Sequence, residues 1–429
     1  MPIILQTNIW RSTKRCNFSR KKLESKPKLN FQDNSLPISL PIHMHVSRKP
    51  PLIILSDWFA PGYRAGGPIT SCVNLSYAMR KYFDVKIITS DRDLGDRKPY
   101  DSILPNSWTQ YDNGIHVLYC RPGFSRIREI RKILRQSAKA TILLNGMFSR
   151  SFTLIPLFLL NRLDKDHRII LTPRGMLKPS ALAIKHWKKN LFLSLMKRWK
   201  FVRQITFHVT DQNEQEDVLR VFGENSRVHV IPNCTPLPQP PEKNVEKNPG
   251  TLKVISVARI HPIKNTLFLI NSLATTHQKV ILDLYGPIED MGYWKTCLQK
   301  IRSLPSNVQV THQGELQPHQ VRSYIKRYHV FGLATKGENF GHAIYEALST
   351  GTPVLISDQT PWRNLRKAQA GWDLPLKDSK EFGRVVNLIS SYTQPEYDQW
   401  SKGAYTLAED FRAKHNVNEL YKELFYNAA

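Results

Sequence analysis

The chain has 429 residues, 41% of them hydrophobic and 23% charged, which is room for two or three packed domains and argues against wholesale disorder. No apolar run reaches the roughly 18 residues that span a bilayer; the longest, Phe152 to Leu160, is short and contains Pro156. With 62 Lys and Arg against 35 Asp and Glu, the net charge is +27, so the partner is expected to be anionic: phosphates, acidic lipid headgroups or nucleic acid.

Cys16, Cys72, Cys120, Cys234 and Cys297 are scattered and odd in number, without a Cys-x-x-Cys pair. A disulfide framework or zinc site is not expected, and reduced thiols fit better. The N-terminus lacks the apolar core of a secretory signal, and a cytoplasmic location is expected.

Residues 1–48 carry a string of Lys and Arg against only Glu24 and Asp33, with no sustained periodicity. They read as a disordered basic arm, either a tether or a stretch ahead of a true start at Met44. Pro51 to Asp57 reads as a buried strand, followed by a loop and a helix from about Ser71 to Tyr82. Gly66 and Gly67 in that loop allow close approach of backbone to a ligand, although neither a dinucleotide fingerprint nor a P-loop is present. The strand 84–90 leads into Asp91-Arg92-Asp93, which reads as solvated loop acids rather than a metal site.

Strands follow at 116–120 and 140–146, with a basic helix from Ile127 to Gln136 between them. The strand in 167–177 ends on Arg174-Gly175, at a carboxyl edge where a site is able to form. From Arg174 to Arg203 there are nine Lys and Arg and no acid. Ile184, Trp187, Leu191 and Leu195 share a helical stripe there, while Lys185, Lys188 and Lys189 crowd elsewhere. Two readings stay open: a helix over 180–203 resting on an anionic membrane with Trp187 and Trp199 near the headgroups, or a domain helix with its stripe in the core.

Strands at 204–211 and 228–233 close the first half, residues 49–233, and the Pro-rich stretch 234–250 reads as a linker. The second half, 251–409, opens on a strand whose end is bracketed by Arg259 and Lys264. A guanidinium and an ammonium at a sheet edge suit a diphosphate and the charge that grows on it. Gly286 follows the strand 281–287, a point of close backbone approach to a nucleotide.

The densest signal is HVFGLATKGENFGHAIYEALSTGTPVLIS, residues 329–357. Val330 to Ala334 and Pro353 to Ile356 read as buried parallel strands flanking a helix over Gly341 to Thr350. Glu338 lies in the loop after the first strand and Glu346 about two helical turns further on. Both carboxylates can face the crevice beyond the carboxyl ends of an open parallel sheet, beside Gly341. Solvated residues flanking a helix would show the same spacing.

The combination of Glu338 and Glu346 with Asn339-Phe340-Gly341 between them, Gly351-x-Pro353-Val354 after them, and SDQTPW (357–362) and GWDLPL (371–376) resembles the donor-site signature of retaining GT-B glycosyltransferases of family 4. Arg259 and Lys264 match that family's donor-phosphate pair, and the resemblance covers about residues 50–425. It implies an α/β chain of GT-B type: two Rossmann-like, doubly wound domains facing across a cleft, with a C-terminal helix at about 410–429 crossing back to the first domain. It implies a nucleotide-sugar donor, UDP- or GDP-linked, and no cofactor or metal. Arg259 and Lys264 would hold the diphosphate, Glu346 the ribose, and Glu338 with the Asn339–Gly341 backbone the sugar. Gly66, Gly67, Asn145 and Arg174 would face the cleft or the acceptor, a glycan or lipid-linked glycan in surface polysaccharide synthesis, with the protein peripheral on the inner face of the plasma membrane. The chain departs from the family with Asn145, Ala334 and His329 where His, Pro and Asp are more frequent.

Two rivals stand beside this reading. A non-enzymatic basic binder of nucleic acid or membrane would account for the charge but not for four polar groups at strand ends; nucleic acid is not the expected partner. A GT-B nucleotide-sugar epimerase would share the donor site.

Overall fold

Near-continuous apolar runs such as Leu52–Leu55 and Val354–Ile356 are the pattern of strands buried on both faces by helices, and the computed structural model arranges them in two parallel sheets. It describes residues 49–137, 139–163, 166–183, 186–198, 204–240 and 245–427. The basic stretch 1–48, Ile184, Lys185, Trp199 and residues 241–244 lie outside them.

The first sheet comprises β1 (Pro51–Ser56), β2 (Asp84–Ser90), β3 (Trp108–Asp112), β4 (Ile115–Cys120), β5 (Thr141–Asn145), β6 (Arg168–Thr172), β7 (Thr206–Val209) and β8 (Arg227–Val230). Their order is β3-β4-β2-β1-β5-β6-β7-β8, parallel throughout except for β3, which pairs antiparallel with β4. The sequence reading missed β3, a half-exposed edge strand with little apolar content. The second sheet comprises β9 (Thr251–Val257), β10 (Lys279–Tyr285), β11 (Val308–His312), β12 (Val330–Leu333), β13 (Val354–Ser357) and β14 (Gly371–Leu374), in the order β11-β10-β9-β12-β13-β14. In each sheet the strand order reverses once near the centre, between β1 and β5 and between β9 and β12, and ligands of doubly wound folds bind beyond the carboxyl ends at such points.

Four fully buried side chains, Leu52 to Leu55, alternate between the cores on the two faces of the first sheet. Each such burial contributes about 1.5–3 kcal/mol. The helix after β1 runs Gly67–Met79, earlier than the expected start near Ser71, because Pro68 sits at the first turn, where its fixed φ suits a helix and its missing N–H costs nothing. Asn416, with φ of 35°, separates the helices Gln394–His415 and Val417–Asn427. Ala404 and Ala408 pack into the second core, while Tyr421, Leu424 and Phe425 pack into the first. The described parts of the Pro-rich stretch are tied to both halves: Cys234 packs in the first core and its carbonyl accepts from Asn74 Nδ2 at 3.2 Å, while Pro236 O accepts from the Tyr345 hydroxyl and Gln239 N–H donates to Ser349 O. Lys247 donates to the carbonyls of Asn248, Ser390 and Tyr392, and burial lowers its pKa to about 8.

The basic helix spans His186–Arg198. It buries Leu193 and Met196 and leaves Trp187, Leu191 and Leu195 exposed by 68%, 55% and 44%. The described part of the stripe therefore does not enter the core, because the helix docks through the neighbouring Leu193 and Met196 instead.

Among the described residues, no helix is long and apolar enough to cross a membrane.

Candidate active site between the two sheets

The carboxyl ends of β1 and β6 face those of β9 and β12 across a cavity of about 350 Å³. Its first wall is Tyr63 to Ser71 with Arg174 and Asn233; its second carries Arg259, Lys264, Gly286, Glu315, Glu338 to Ala343 and Glu346. Eleven of the twelve residues singled out from sequence line it: Arg259, Lys264, Gly286, Glu338, Asn339, Phe340, Gly341, Glu346, Gly66, Gly67 and Arg174. Asn145 does not line it. It is buried beneath Arg174, donating from Nδ2 to Ser56 Oγ at 3.0 Å and accepting the Arg174 Nε–H at 2.8 Å, so it acts on the cleft through that guanidinium.

Lys264 and Glu338 form an ion pair in which both side chains are less than one-fifth exposed. Arg259 pairs with Glu289 at 2.5 Å, a partner sequence reasoning had no means to name because it comes from the segment after β10. The backbone of the loop after β12 is tied down independently: Glu338 N–H donates to Gln359 O at 3.0 Å and Lys336 N–H to Ile263 O at 2.8 Å. Phe340 anchors the loop in an aromatic cluster with Trp362, Tyr345 and Phe411, and the Trp362 indole N–H donates to its carbonyl. Gly341 begins the helix His342–Leu348 with φ of 79°.

Gly286 has φ of 135°, and a Cβ there would stand 2.2 Å from Ala258 O, so only glycine lets the end of β10 pass the end of β9. The close backbone approach expected at this residue is thus first an approach of protein to protein.

Glu346 faces the cavity with its carboxyl pKa raised to about 7, chiefly by burial, with the Arg322 guanidinium opposing the shift. The folded-state value lies above that of an exposed carboxyl. Folded protein therefore retains a proton that the unfolded chain has lost, and between about pH 4.5 and 7 this group's contribution to stability falls as pH rises. His342 is driven down to about 3, chiefly by burial and further by Arg174, and is neutral.

Contacts across the cleft came as news from the structure. Asn339 Nδ2 donates to Thr210 Oγ1 at 3.0 Å, and Lys178 Nζ to Glu338 O at 3.4 Å. Arg64 Nε lies 3.7 Å from Glu315. Asp91 and Asp93 are not solvated loop acids. The buried Asp91 pairs with Arg92, and the buried Asp93 accepts N–H bonds from Tyr63, Arg64 and Leu94, holding the loop that reaches the cleft. The departures at His329 and Ala334 do not touch the cavity lining. His329 Nδ1 accepts from Lys253 N–H and Nε2 donates to Glu246 O, at the amino end of β12, while Ala334 is core.

Residues 240–406 match the model of the family glycosyl transferases group 1. No curated protein matches the chain. Among solved structures, HepE of Anabaena in complex with UDP-glucose is similar with TM-score 0.64 and 14% identity, over 87% of this chain and 97% of HepE. Sucrose-phosphate synthase of Thermosynechococcus elongatus is similar with TM-score 0.62 and 14% identity, over 88% of this chain and 100% of that one. WaaG, a glycosyltransferase involved in lipopolysaccharide biosynthesis, is similar with TM-score 0.58 and 11% identity, over 88% and 100%. Two doubly wound parallel sheets in one chain, matched over nearly the full length of these structures, give the chain the GT-B fold, with the glycosyl transferases group 1 signature lying in its second half.

Proposed function

We propose that the protein is a retaining glycosyltransferase that moves a sugar from a UDP- or GDP-linked donor to a hydroxyl of a lipid-linked glycan in surface polysaccharide synthesis. The observation that carries this is the convergence of Arg259, Lys264, Glu338 and Glu346, distant in sequence, on one cavity between two sheets. The donor lies on the second half. Arg259 and Lys264 hold its diphosphate, Glu346 accepts from the ribose hydroxyls, and Glu338 with the Asn339–Gly341 backbone holds the sugar. The acceptor hydroxyl attacks the anomeric carbon from the leaving group's side, the new C–O bond forms as the bond to phosphate breaks, and the proton passes to the leaving phosphate oxygen. Arg259 and Lys264 neutralise the charge growing on that phosphate, which removes the need for a metal.

The test is turnover of UDP- and GDP-sugars with and without glycan and lipid-linked acceptors, reading released nucleotide and product stereochemistry. One donor is expected to be consumed only with acceptor, giving retained configuration. A sugar isomerised without acceptor would favour the epimerase reading, and no consumption of any donor would end both.

The pH profile is a second check. Ribose hydroxyls donate more strongly to Glu346 when it is ionised than to the carbonyl oxygen of its protonated form, so nucleotide affinity is expected to rise as pH passes 7 and then level off. The nucleotide's own phosphate also titrates, so the readout is the difference between wild type and Glu346→Gln. The substitution should remove this group's part of the rise, so the difference opens as pH passes 7 and reaches roughly tenfold in affinity above it, the size of a hydrogen bond to a charged group.

Membrane attachment through the helix His186–Arg198 completes the proposal. Exposed Trp187, Leu191 and Leu195 suit the acyl boundary, and Lys188, Lys189, Lys197 and Arg198 suit anionic headgroups. Lys188→Glu with Lys189→Glu is expected to weaken binding to anionic liposomes by roughly 30-fold or more, since losing the two positive charges alone costs about 1 kcal/mol each, without altering turnover of a soluble acceptor. Unchanged sedimentation with liposomes would discard the attachment.

A further inference from the structure

Four cations line the cavity, and three have carboxylate partners: Arg64 with Asp96 and Glu315, Arg259 with Glu289, and Lys264 with Glu338. Arg174 has none among the described residues. Its Nε–H donates to Asn145 Oδ1 at 2.8 Å and its Nη1–H to Asn233 Oδ1 at 2.5 Å, both neutral amide oxygens. Asn145 is held in the accepting orientation because its Nδ2 donates to Ser56 Oγ at 3.0 Å. The charge is thus aimed and fixed, but not cancelled.

The backbone is fixed with equal care. Arg174 has φ of 56°, a left-handed conformation that costs a bulky residue free energy, and Gly175 follows with φ of 72°. Gly175 N–H donates to Glu214 Oε1, whose Oε2 takes both the N–H and the hydroxyl of Thr210 at 2.8 and 2.9 Å. The buried Glu214 therefore spends its oxygens on the turn that presents Arg174 rather than on the guanidinium. Thr210 gives its only hydroxyl proton to Glu214, so it accepts from Asn339 Nδ2. The arginine turn is thereby set against the donor loop.

We infer that Arg174 is the anchor for a phosphoryl group carried by the acceptor, separate from the donor diphosphate. This rests on the proposed glycosyl transfer and narrows its acceptor to an anionic one. Arg174 belongs to the first wall, where the crevice beyond β1, β5 and β6 opens, whereas the donor phosphates have Arg259 and Lys264 on the second. A guanidinium with free N–H groups beside fixed neutral acceptors matches a tetrahedral oxyanion and gains little from a neutral sugar.

The probe is inorganic phosphate, titrated calorimetrically into the full chain saturated with UDP or GDP, and also into the chain without nucleotide. Wild type is expected to bind phosphate with nucleotide present. Arg174→Gln should weaken that binding at least tenfold while nucleotide affinity changes less than twofold. Asn145→Asp, which keeps the arginine but supplies the missing carboxylate, should weaken it as strongly, and its melting curve reports folding separately. Phosphate binding indifferent to both substitutions, or nucleotide affinity falling in step with it, would overturn the assignment. A wild type that binds neither UDP nor GDP would overturn the glycosyltransferase reading instead, and the arm without nucleotide would then decide Arg174: loss of phosphate binding in both variants sustains an anion site, and no loss ends it.

Discussion

Lys264→Ala is expected to lower kcat/KM for sugar transfer by about 10²-fold or more, the order seen when one aligned electrostatic contact is lost from a water-poor site. In the proposed donor complex the ammonium would bear on both the diphosphate and the sugar, since it touches Glu338 directly and shares the cavity with Arg259. Glu338→Ala should cost a similar factor, through the sugar rather than through the phosphate. Each single change also strands one charge of a mostly buried pair, so both variants should lose some stability. The double variant removes both charges and should melt closer to wild type than either single one, yet stay as inactive. Comparing kcat/KM and melting curves of the three separates catalysis from folding. Near-normal turnover in both single variants would remove the site assignment.

Gly286→Ala carries the second large effect, and it falls on folding first. At φ of 135° an added Cβ meets Ala258 O at 2.2 Å and Ala258 C at 2.7 Å, contacts with backbone that no rotamer relieves. Around it, Gly286 N–H donates to Gly314 O at 2.8 Å, and the His312 ring nitrogen bonds Gly286 O at 2.8 Å. The strand ends of β9, β10 and β11 are therefore locked together at this residue. A clash that forces them apart costs about 1–3 kcal/mol in strain, with a similar amount for the left-handed alanine. A lowered Tm with weakened nucleotide binding is expected, because Arg259 follows Ala258 directly. A Tm equal to wild type would show that the strands separate without cost and that this packing account is wrong.

What the sequence disclosed depended on how local the cause was. Apolar runs buried on both faces identify central strands without help, and the spacing Arg259–Lys264 or Glu338–Glu346 is set by a single strand end or helix. Edge strand β3 escaped because its half-exposed residues carry no such run. The helix Gly67–Met79 began earlier than read because the proline signal at Pro68 was passed over. Asp93 could not be told from a solvated acid, since its partners include the amides of Tyr63 and Arg64 some thirty residues earlier. Glu289, Glu315, Asn233 and Glu214 were out of reach for the same reason: their roles follow from which loops the two sheets bring face to face. Asn145 illustrates the limit most clearly. Its strand-end position was legible, but its place under Arg174 rather than in the cleft depends on β5 and β6 being neighbours.

The most direct test of the central claim is calorimetric titration of the full chain with UDP and with GDP, repeated with Arg259→Ala and Lys264→Ala. One nucleoside diphosphate is predicted to bind at a single site, and each substitution to weaken it at least tenfold while the protein stays folded. Binding of neither nucleotide, or binding that ignores both substitutions, would contradict a donor site between the sheets.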